Sequence, residues 1–392
     1  MVLLTIVKFL LFALAVAANA YFVLCMVAAF RFFSKIGPKQ SPLEVPVTIL
    51  IPIRGAEFEG YENYASFCRQ SHPRYQIVFG VQDPYDTELS TLQRLAADFP
   101  GKDITVHISA ETIGNNSKVN NLQNMLSAAK YEHIVIVDSD IRVGPDYLSS
   151  IVADLCEPGV GLVTCLYRGR ACDLPSRLEA IGITSEFAPG VLSARLLEGI
   201  KFALGATMAM TRSVLQEIGG MHAIADYLAD DFMLGHLISK AGYECRLSHC
   251  IVETVLAPTG VSDMIRHQIR WARGIRVCRP LGYLGMIITY GTALALLFVA
   301  AAHASMGSLI LLAATLVMRL VMAWHVGVHC LKDRVLKKSL WLIPFRDVLS
   351  FLIWCIGLVG RRVEWRGEVY RLVGDGKLQP DARTSRKLRP AG

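Results

Sequence analysis

The hydrophobic pattern divides the chain into apolar ends and a mixed middle. Residues 9–30 form an uncharged apolar run behind Lys8, and at about 1.5 Å per helical residue this run crosses a hydrocarbon core of about 30 Å. The pattern predicts a transmembrane helix in residues 1–33. A cleaved signal peptide is the alternative, because residues 18–20 have the small-x-small form of a cleavage site, but ten apolar residues follow before Arg31.

Short apolar runs alternate with helix-like segments in the middle of the chain. Five runs are rich in β-branched residues and do not alternate cleanly between apolar and polar positions: VPVTILIPI, YQIVFGV, ITVHI, HIVIV and VGLVTCLY. Such runs are typical of strands buried on both faces of a mainly parallel sheet. Helices are expected at residues 61–71, 87–99 and 118–129. The alternation predicts a Rossmann-like α/β domain at 45–280, with ligands beyond the carboxyl ends of the strands.

The apolar content rises again in residues 281–360, which we interpret as a second membrane region. Two spans are expected, at 281–301 and 306–324. A third apolar segment at 341–360 contains a proline and two charged residues. It is either a full span or a re-entrant or interfacial segment. The second form is preferred, because a full span would place the basic residues that follow it on the other side of the membrane.

Basic residues give the predicted sidedness. Arg31, Lys35 and Lys39 follow the first helix, and residues 332–339 read KDRVLKKS. Positive charge beside a span favours the cytosolic side, so the α/β domain and the basic tail, 361–392, are both predicted to be cytosolic, at the inner membrane of a bacterium. The composition of residues 374–392 indicates a disordered end.

Composition and charge agree with a membrane protein that carries a soluble domain. The chain has 392 residues, of which 53% are hydrophobic and 19% charged, too apolar for a wholly soluble protein and too charged for membrane helices alone. The net charge of +7 is concentrated beside the apolar segments, which favours anionic lipid headgroups over nucleic acid as the partner. The ten cysteines include no C-x-x-C pair and are predicted to be buried reduced thiols.

Two carboxylates follow one of the buried strands, in HIVIVDSDIRVG. Asp138 and Asp140 lie one residue apart, within reach of a single divalent cation such as Mg²⁺ or Mn²⁺, which prefers oxygen ligands and bridges them to phosphate. The alternative is an aspartate that caps a turn beside a solvated one. The chain has no G-x-x-x-x-G-K-[ST] loop, which argues against a P-loop nucleotide enzyme.

Donor-binding candidates lie near the ends of the other strands. Pro52 and Arg54 end the first strand, and Asp83 ends the second, where a carboxylate can bond a uracil or ribose edge or simply form a turn. The segment GNNSKVNNL supplies Lys118 for phosphate and Asn121 as an amide partner at a helix start, although helix capping also explains its asparagines.

Two further segments carry polar side chains where they need a partner. LADDFML places Asp230 and Asp231 in an apolar stretch, and an ionised carboxylate there is costly without a function or an ion pair. RHQIRWARGIR places Arg270 beside Trp271 among arginines at helical spacing. A basic helix lying on lipid is the simpler interpretation of that second segment.

In this order, the segments resemble one family. Asp83, Asp138-Ser139-Asp140, Asp231 and Arg270-Trp271 match the D, D-x-D, D, (Q/R)-x-x-R-W signature of glycosyltransferases with a GT-A fold. The chain resembles the ceramide glucosyltransferase family and its bacterial relatives that glycosylate hopanoids, over roughly residues 46–280. One departure is His267 at the first position of the last motif, with Gln268 one place later, which leaves the role of that glutamine open.

The resemblance implies an inverting transfer of a hexose from a UDP-sugar to the hydroxyl of a lipid alcohol, ceramide or a hopanoid polyol. It assigns the general base to Asp231 and a supporting position to Asp230, with Arg270 and Trp271 closing over the diphosphate and the acceptor. The apolar segment 176–204, broken by a proline and a glycine, either lines the acceptor entrance or packs in the core. The rivals are a processive polysaccharide synthase, which would need more apolar segments, and a nucleotide sensor with a decayed site. Oligomeric state is left open.

Overall fold

The computed structural model describes residues 2–34, 45–365 and 367–381. Lys35 and Lys39, which entered the predicted sidedness, and residues 382–392 of the tail lie outside the described residues. The strands are β1 Val47–Ile53, β2 Tyr75–Val81, β3 Asp103–Ile108, β4 His133–Ile136, β5 Ile141–Arg142, β6 Val160–Arg170, β7 Met208–Thr211, β8 Glu244–Val255, β9 Arg362–Trp365, β10 Glu368–Val373 and β11 Lys377–Pro380.

The helices complete an alternating order in the middle of the chain and dominate its two ends. They are α1 Val2–Phe33, α2 Gly60–Cys68, α3 Leu89–Asp98, α4 Ser117–Met125, α5 Tyr147–Leu155, α6 Leu174–Gly182, α7 Ala188–Glu198, α8 Arg212–Glu217, α9 Asp230–Lys240, α10 Val261–Cys278, α11 Pro280–Gly285, α12 Gly291–Ala301, α13 Met306–Ala323, α14 Arg334–Ser339 and α15 Ile343–Gly357. Two π-helical segments, Ile183–Phe187 and Trp324–Cys330, join or extend these helices.

The main sheet is mixed and mostly parallel, with the strand order β3-β2-β1-β4-β7-β6-β8-β5. The first four strands pair in parallel, and β7 runs antiparallel to β4 and β6. Both faces are covered: Leu50 of β1 faces one hydrophobic core, while its neighbours Ile49 and Ile51 face the other. Burial on both faces explains why these strands are apolar at successive positions.

The amino-terminal helix shares its core with the sheet. Phe22, Cys25 and Ala28 of α1 are buried and belong to the same hydrophobic cluster as Leu50. The helix contacts α7, α12 and α13, and the Asn19 side chain donates a hydrogen bond to Thr315 Oγ1 at 2.8 Å. The α/β domain and the apolar helices therefore pack against one another along α1.

By length and composition, three helices within the described residues can cross a membrane: Val2–Phe33, Met306–Cys330 and Arg334–Gly357. A straight span was expected at 281–301. Instead, Pro280–Thr289 and Gly291–Ala301 form a pair bent by 65° at the break between them. The bend follows from Tyr290, whose backbone is not helical and ends the first helix of the pair.

Two other expectations are corrected. The break foreseen in 176–204 is absent, because Pro189 occupies the first turn of α7, where its missing N–H is tolerated, and α6 runs through the π-helical segment into α7. Disorder foreseen from residue 374 is wrong for its first part, because β11 pairs with β10 in a three-stranded sheet, β9 to β11. The cysteines are free, as expected, but Cys156 and Cys172 are exposed.

Candidate active site

The two carboxylates of the D-S-D segment stand at the carboxyl edge of the sheet. The ladder between β1 and β4 ends at Leu50 and Ile136, and the chain then turns through Asp138 and Asp140 into β5. Thr254 of β8 donates a hydrogen bond to Asp140 Oδ2 at 2.6 Å. The Asp138 side chain is 37% exposed, so it remains open to a ligand.

Lys118 is brought to this edge by the start of α4. The Asn116 side chain caps the helix by accepting from the backbone N–H of Lys118 and Val119 at 2.9 and 3.1 Å. The Lys118 ammonium lies 2.6 Å from Asp138 Oδ1 and 3.4 Å from Asp230 Oδ2. The second contact is an ion pair without hydrogen-bond geometry, since Asp230 Oδ2 accepts no hydrogen bond.

The acidic pair of the LADDF segment begins α9, where negative charge is favourable beside the helix N-terminus. Asp231 Oδ1 accepts from its neighbour Phe232 N at 2.7 Å, and Oδ2 accepts from Gly205 N at 2.9 Å. A Cβ on Gly205 would lie 2.8 Å from Asp138 Oδ2 and 3.7 Å from the Lys118 ammonium. Asp138, Asp231 and Lys118 therefore converge on the backbone of Gly205.

Electrostatics separate the roles of these groups. Burial raises the pKa of Asp231 to about 6; the charge of Asp230 adds to the rise and Lys118 opposes it. Burial raises the pKa of Asp140 to about 7, and the charge of Asp138 acts in the same direction. Burial alone would lower the pKa of Lys118, but the charges of Asp138 and Asp230 outweigh it and raise that pKa. Lys118 is thus a fixed cation among carboxylates.

The carboxylate oxygens of Asp138 and Asp140 are suitable ligands for a hard divalent cation. Asp138 and Asp140 stand at alternate positions of one turn, and the charge of Asp138 adds to the effect of burial in raising the pKa of Asp140, so the two carboxylates act on each other. The described residues contain no group of three or more His, Cys, Asp or Glu side chains that could hold a metal ion by themselves. The remaining ligands would therefore come from phosphate oxygens and water, as is usual for Mg²⁺.

The residues predicted to bind the donor substrate, Arg54, Asp83 and Pro52, lie along the same edge of the sheet, and their surroundings differ. Exposed Arg54 donates to Ser117 Oγ at 3.3 Å, beside Lys118. Asp83 is also exposed and accepts from Tyr85 N at 2.9 Å, so it forms the turn that was the alternative interpretation. Pro52 is buried in β1 beyond the last residue paired with β4, where its missing N–H breaks no ladder bond to that strand.

Asn121 ties two strands together. It is 3% exposed, and its side-chain N–H groups donate to the carbonyls of Ile53 and Gly80, at 3.3 and 2.8 Å. These bonds join the ends of β1 and β2. A direct contact of Asn121 with a donor stays a prediction, whereas its role in holding this edge is observed.

The motif that ends in Arg-Trp lies on α10 and is anchored by its neighbours. His267 Nδ1 lies 2.7 Å from Glu179 Oε1, and its ring stands edge-on to Trp271 at 4.9 Å between centroids. Gln268 accepts a hydrogen bond from Arg346 Nη2 of α15 at 2.8 Å. The side chain of Gln268 therefore joins α10 to the apolar helices. The expected closure of Arg270 and Trp271 over a donor stays a prediction.

The charges of the carboxylates also act on two side chains beyond the predicted set. Burial and then the charges of Asp231 and Asp140 raise the pKa of Tyr167. Burial and then the charge of Asp231 raise the pKa of Cys278, at the end of α10, to about 11. These residues and Gly205 were not predicted from the sequence, because none of them stands in a local pattern that indicates chemistry.

The chain matches a protein-family model over most of its length. The model of Glycosyl transferase family 21 matches residues 10–378. The chain belongs to glycosyl transferase family 21. Ceramide glucosyltransferase 1 of Caenorhabditis elegans is 24% identical over 221 residues, 56% of this chain and 47% of the relative. Ceramide glucosyltransferase of Candida albicans is 34% identical over 122 residues, 28% of this chain and 22% of the relative.

A solved structure confirms the predicted GT-A fold of this family 21 member. A mannosyltransferase from Pyrobaculum calidifontis, in complex with GDP-Man and Mn²⁺, superposes with a TM-score of 0.53 and 19% identity, covering 88% of this chain and 98% of that chain. The family 21 chain spans about half the length of the curated relatives it matches first. At this identity, the structural match shows the fold alone.

Proposed function

We propose that this protein transfers a hexose from a UDP-sugar to the hydroxyl of a membrane lipid, with glucose and ceramide as donor and acceptor. The observation that carries the proposal is the convergence of Asp138, Lys118 and Asp231 on Gly205, at the ligand-binding edge of a GT-A sheet. Membership of family 21 and the ceramide glucosyltransferase relatives support the choice of substrates.

In the proposed mechanism the donor diphosphate lies against Asp138, Asp140 and Lys118. A divalent ion held by the two carboxylates would offset the charge of the diphosphate as it departs. Lys118 adds a second positive charge from the protein side, and it stays protonated because the negative charges of Asp138 and Asp230 stabilise its ammonium form. Arg270 and Trp271 are assigned to the diphosphate and the acceptor, through a guanidinium and a flat ring.

Asp231 is the proposed base. Its two carboxylate oxygens are held by the backbone N–H groups of Gly205 and Phe232, which orient the group without protonating it. A pKa of about 6 makes this carboxylate a stronger base than an ordinary aspartate while leaving it ionised at neutral pH. A base that takes the proton of the attacking hydroxyl opposite the leaving group gives a single displacement, which inverts the anomeric carbon.

The direct test is transfer by the full-length protein in detergent. Labelled UDP-glucose and UDP-N-acetylglucosamine are each offered with ceramide and with a hopanoid polyol. We expect glucose on ceramide, as a single sugar with the β configuration. The Asp231→Asn variant is the matched control for background hydrolysis. Labelled sugar in a polymer would contradict the proposal, and so would labelled sugar that is only released free into water whichever lipid is offered.

We also propose that the α/β domain and the C-terminal sheet lie on the same, cytosolic side of the membrane. Arg168 of β6 donates to the carbonyl of Leu331 at 3.0 Å, and Leu228 N donates to Gly376 O at 3.0 Å. Residues 280, 331 and 376 then all lie beside the domain, so the chain crosses an even number of times between them. The bent pair and Met306–Cys330 supply one crossing each, and α15 returns without crossing.

Impermeant cysteine labelling in intact cells checks this topology. On a cysteine-free background, we expect a cysteine at Ser305, in the turn between α12 and α13, to react from outside. Cysteines at Glu111 in the α/β domain and at Gln379 in β11 should react only after the cells are permeabilised. All three positions are exposed. Labelling of Gln379→Cys in sealed cells would show that α15 crosses the membrane and that the C-terminal sheet lies on the non-cytosolic side.

A further inference from the structure

A second group of buried charges lies among the apolar helices. Arg319 of α13 is 2% exposed, and its Nη2 lies 2.8 Å from Oδ1 of Asp347 on α15. Thr292 of α12 donates to Asp347 Oδ2 at 2.5 Å, and Arg319 Nη2 donates to Ser185 Oγ at 3.2 Å. Charges at such a position are costly, and in membrane proteins they commonly mark a binding site or a transport path.

One donor of this group lacks a partner. Arg319 Nη1 is buried and makes no hydrogen bond within the part of the chain that the structure describes. Arg319 and Asp347 also line a cavity of about 20 Å³, together with Ser185, Glu186 and Tyr290. That volume holds about one group of the size of a water molecule or a hydroxyl. The cavity therefore offers a place for one polar atom that can accept from a guanidinium.

Irregular backbone forms two walls of this cavity. The π-helical segment Ile183–Phe187 contributes Ser185 and Glu186, and the 65° break between Thr289 and Gly291 contributes Tyr290. Single π-helical turns are frequent at functional sites. In a membrane, broken helices are tolerated where they line a cavity, and transporters use them to hold polar groups of a substrate.

Aromatic packing joins one wall of the cavity to the main sheet. Phe187, the residue after Glu186, packs against Tyr167 with ring centroids 5.5 Å apart. Tyr167 lies on β6 of the main sheet. The π-helical wall of the cavity therefore packs against the sheet whose carboxyl edge carries the proposed catalytic residues.

We propose that this cavity binds a hydroxyl or amide oxygen of the lipid acceptor, other than the hydroxyl that reacts, through Arg319 Nη1. The inference rests on the proposed function. It adds a requirement on the acceptor, namely a second polar group near the hydroxyl that reacts. A lipid with a hydrogen-bond acceptor beside its reacting hydroxyl can fill both places. A lipid with one isolated hydroxyl leaves the guanidinium N–H unpaired and binds more weakly.

Filling the cavity tests the proposal. Ser185→Val adds apolar volume at its wall, and Thr315→Val is the matched control, a buried side chain of α13 that bonds Asn19 and does not line the cavity. Binding of N-hexanoyl ceramide and of oleyl alcohol is measured by titration calorimetry on the full chain in detergent. We expect Ser185→Val to weaken ceramide binding about tenfold or more, with oleyl alcohol and UDP binding unchanged.

The outcomes separate this inference from the proposed function, because binding and transfer are measured independently. Wild-type ceramide affinity in a folded Ser185→Val protein, or equal affinity of the wild type for both lipids, would overturn it and leave the cavity as a structural water site. If Ser185→Val does not fold, Ser185→Thr replaces it, because threonine keeps the hydroxyl that accepts from Arg319 and adds a methyl group at the wall, with an expected loss of about threefold or more. Ceramide that binds as expected without being glycosylated would contradict the proposed function alone.

Discussion

Replacing Asp138 or Asp140 with alanine is expected to abolish sugar transfer and the metal-dependent part of UDP binding. The two carboxylates are the proposed protein ligands of the cation, and the described residues supply no cluster that could replace them. A metal-held diphosphate loses both its charge compensation and its position when one ligand is removed. UDP affinity is measured with Mg²⁺, with Mn²⁺ and in EDTA, beside the transfer rate.

The alanine variants need controls for folding, because Asp138 also pairs with buried Lys118. Asp138→Asn and Asp140→Asn keep the volume of each side chain and should be as inactive. Asp103→Ala removes a half-buried carboxylate away from the site that pairs only with Lys130 in the described structure, and it should leave transfer unchanged. Full activity in EDTA, with wild-type UDP affinity in both asparagine variants, would refute the metal assignment.

The sheet was predictable because its signal is local. β1 and β2 are buried at every position, so each strand appears in the sequence as an unbroken apolar run, and the four parallel strands were placed correctly on that basis. The helices between them were placed within a few residues for the same reason. The antiparallel insertion of β7 between β4 and β6 left no such signal, since pairing order depends on contacts between distant segments.

The active site was predictable only through resemblance. The spacing of Asp138 and Asp140 suggests a cation, but nothing local indicates that the Asp230-Asp231 pair lies beside Lys118, more than a hundred residues earlier in the sequence, with Asp230 Oδ2 at 3.4 Å from the ammonium. Gly205 was missed because its importance lies in what a Cβ would contact, Asp138 Oδ2 at 2.8 Å. The position of Gln268 is explained by Arg346, whose hydrogen bond to it no motif could reveal.

The C-terminal region resisted prediction for a different reason. An apolar stretch of about twenty residues predicts a span, but the chain bends by 65° at Tyr290, whose ring packs against α15 with its centroid 5.8 Å from that of Trp354. β9 to β11 are short and polar, and they are stabilised by bonds such as Leu378 N to Asp226 O at 2.6 Å. Both features depend on partners far away in the sequence.

Replacing Asp231 with asparagine is expected to slow the chemical step by about 10² to 10⁴ while donor binding barely changes. The amide keeps the volume and one acceptor oxygen, but it cannot take a proton. In the wild type, at a divalent-cation concentration that keeps Asp140 ionised, kcat/KM should be level above about pH 7 and approach a tenfold fall per pH unit below the Asp231 pKa of about 6, because the protonated carboxyl is not a base. Single-turnover rates and UDP affinity separate chemistry from binding.

The neighbouring Asp230→Asn is the matched control, since it removes a charge from the same turn and leaves the proposed base in place. It should cost less, and it should lower the pH at which kcat/KM falls, because the charge of Asp230 helps to raise the pKa of Asp231. A larger loss in Asp230→Asn, or an Asp231→Asn protein that loses donor affinity but turns over normally at saturation, would mean that the base is misassigned. The product gives an independent check. An α-linked sugar formed from an α-linked UDP donor is incompatible with a single displacement by the lipid hydroxyl, whichever aspartate serves as the base.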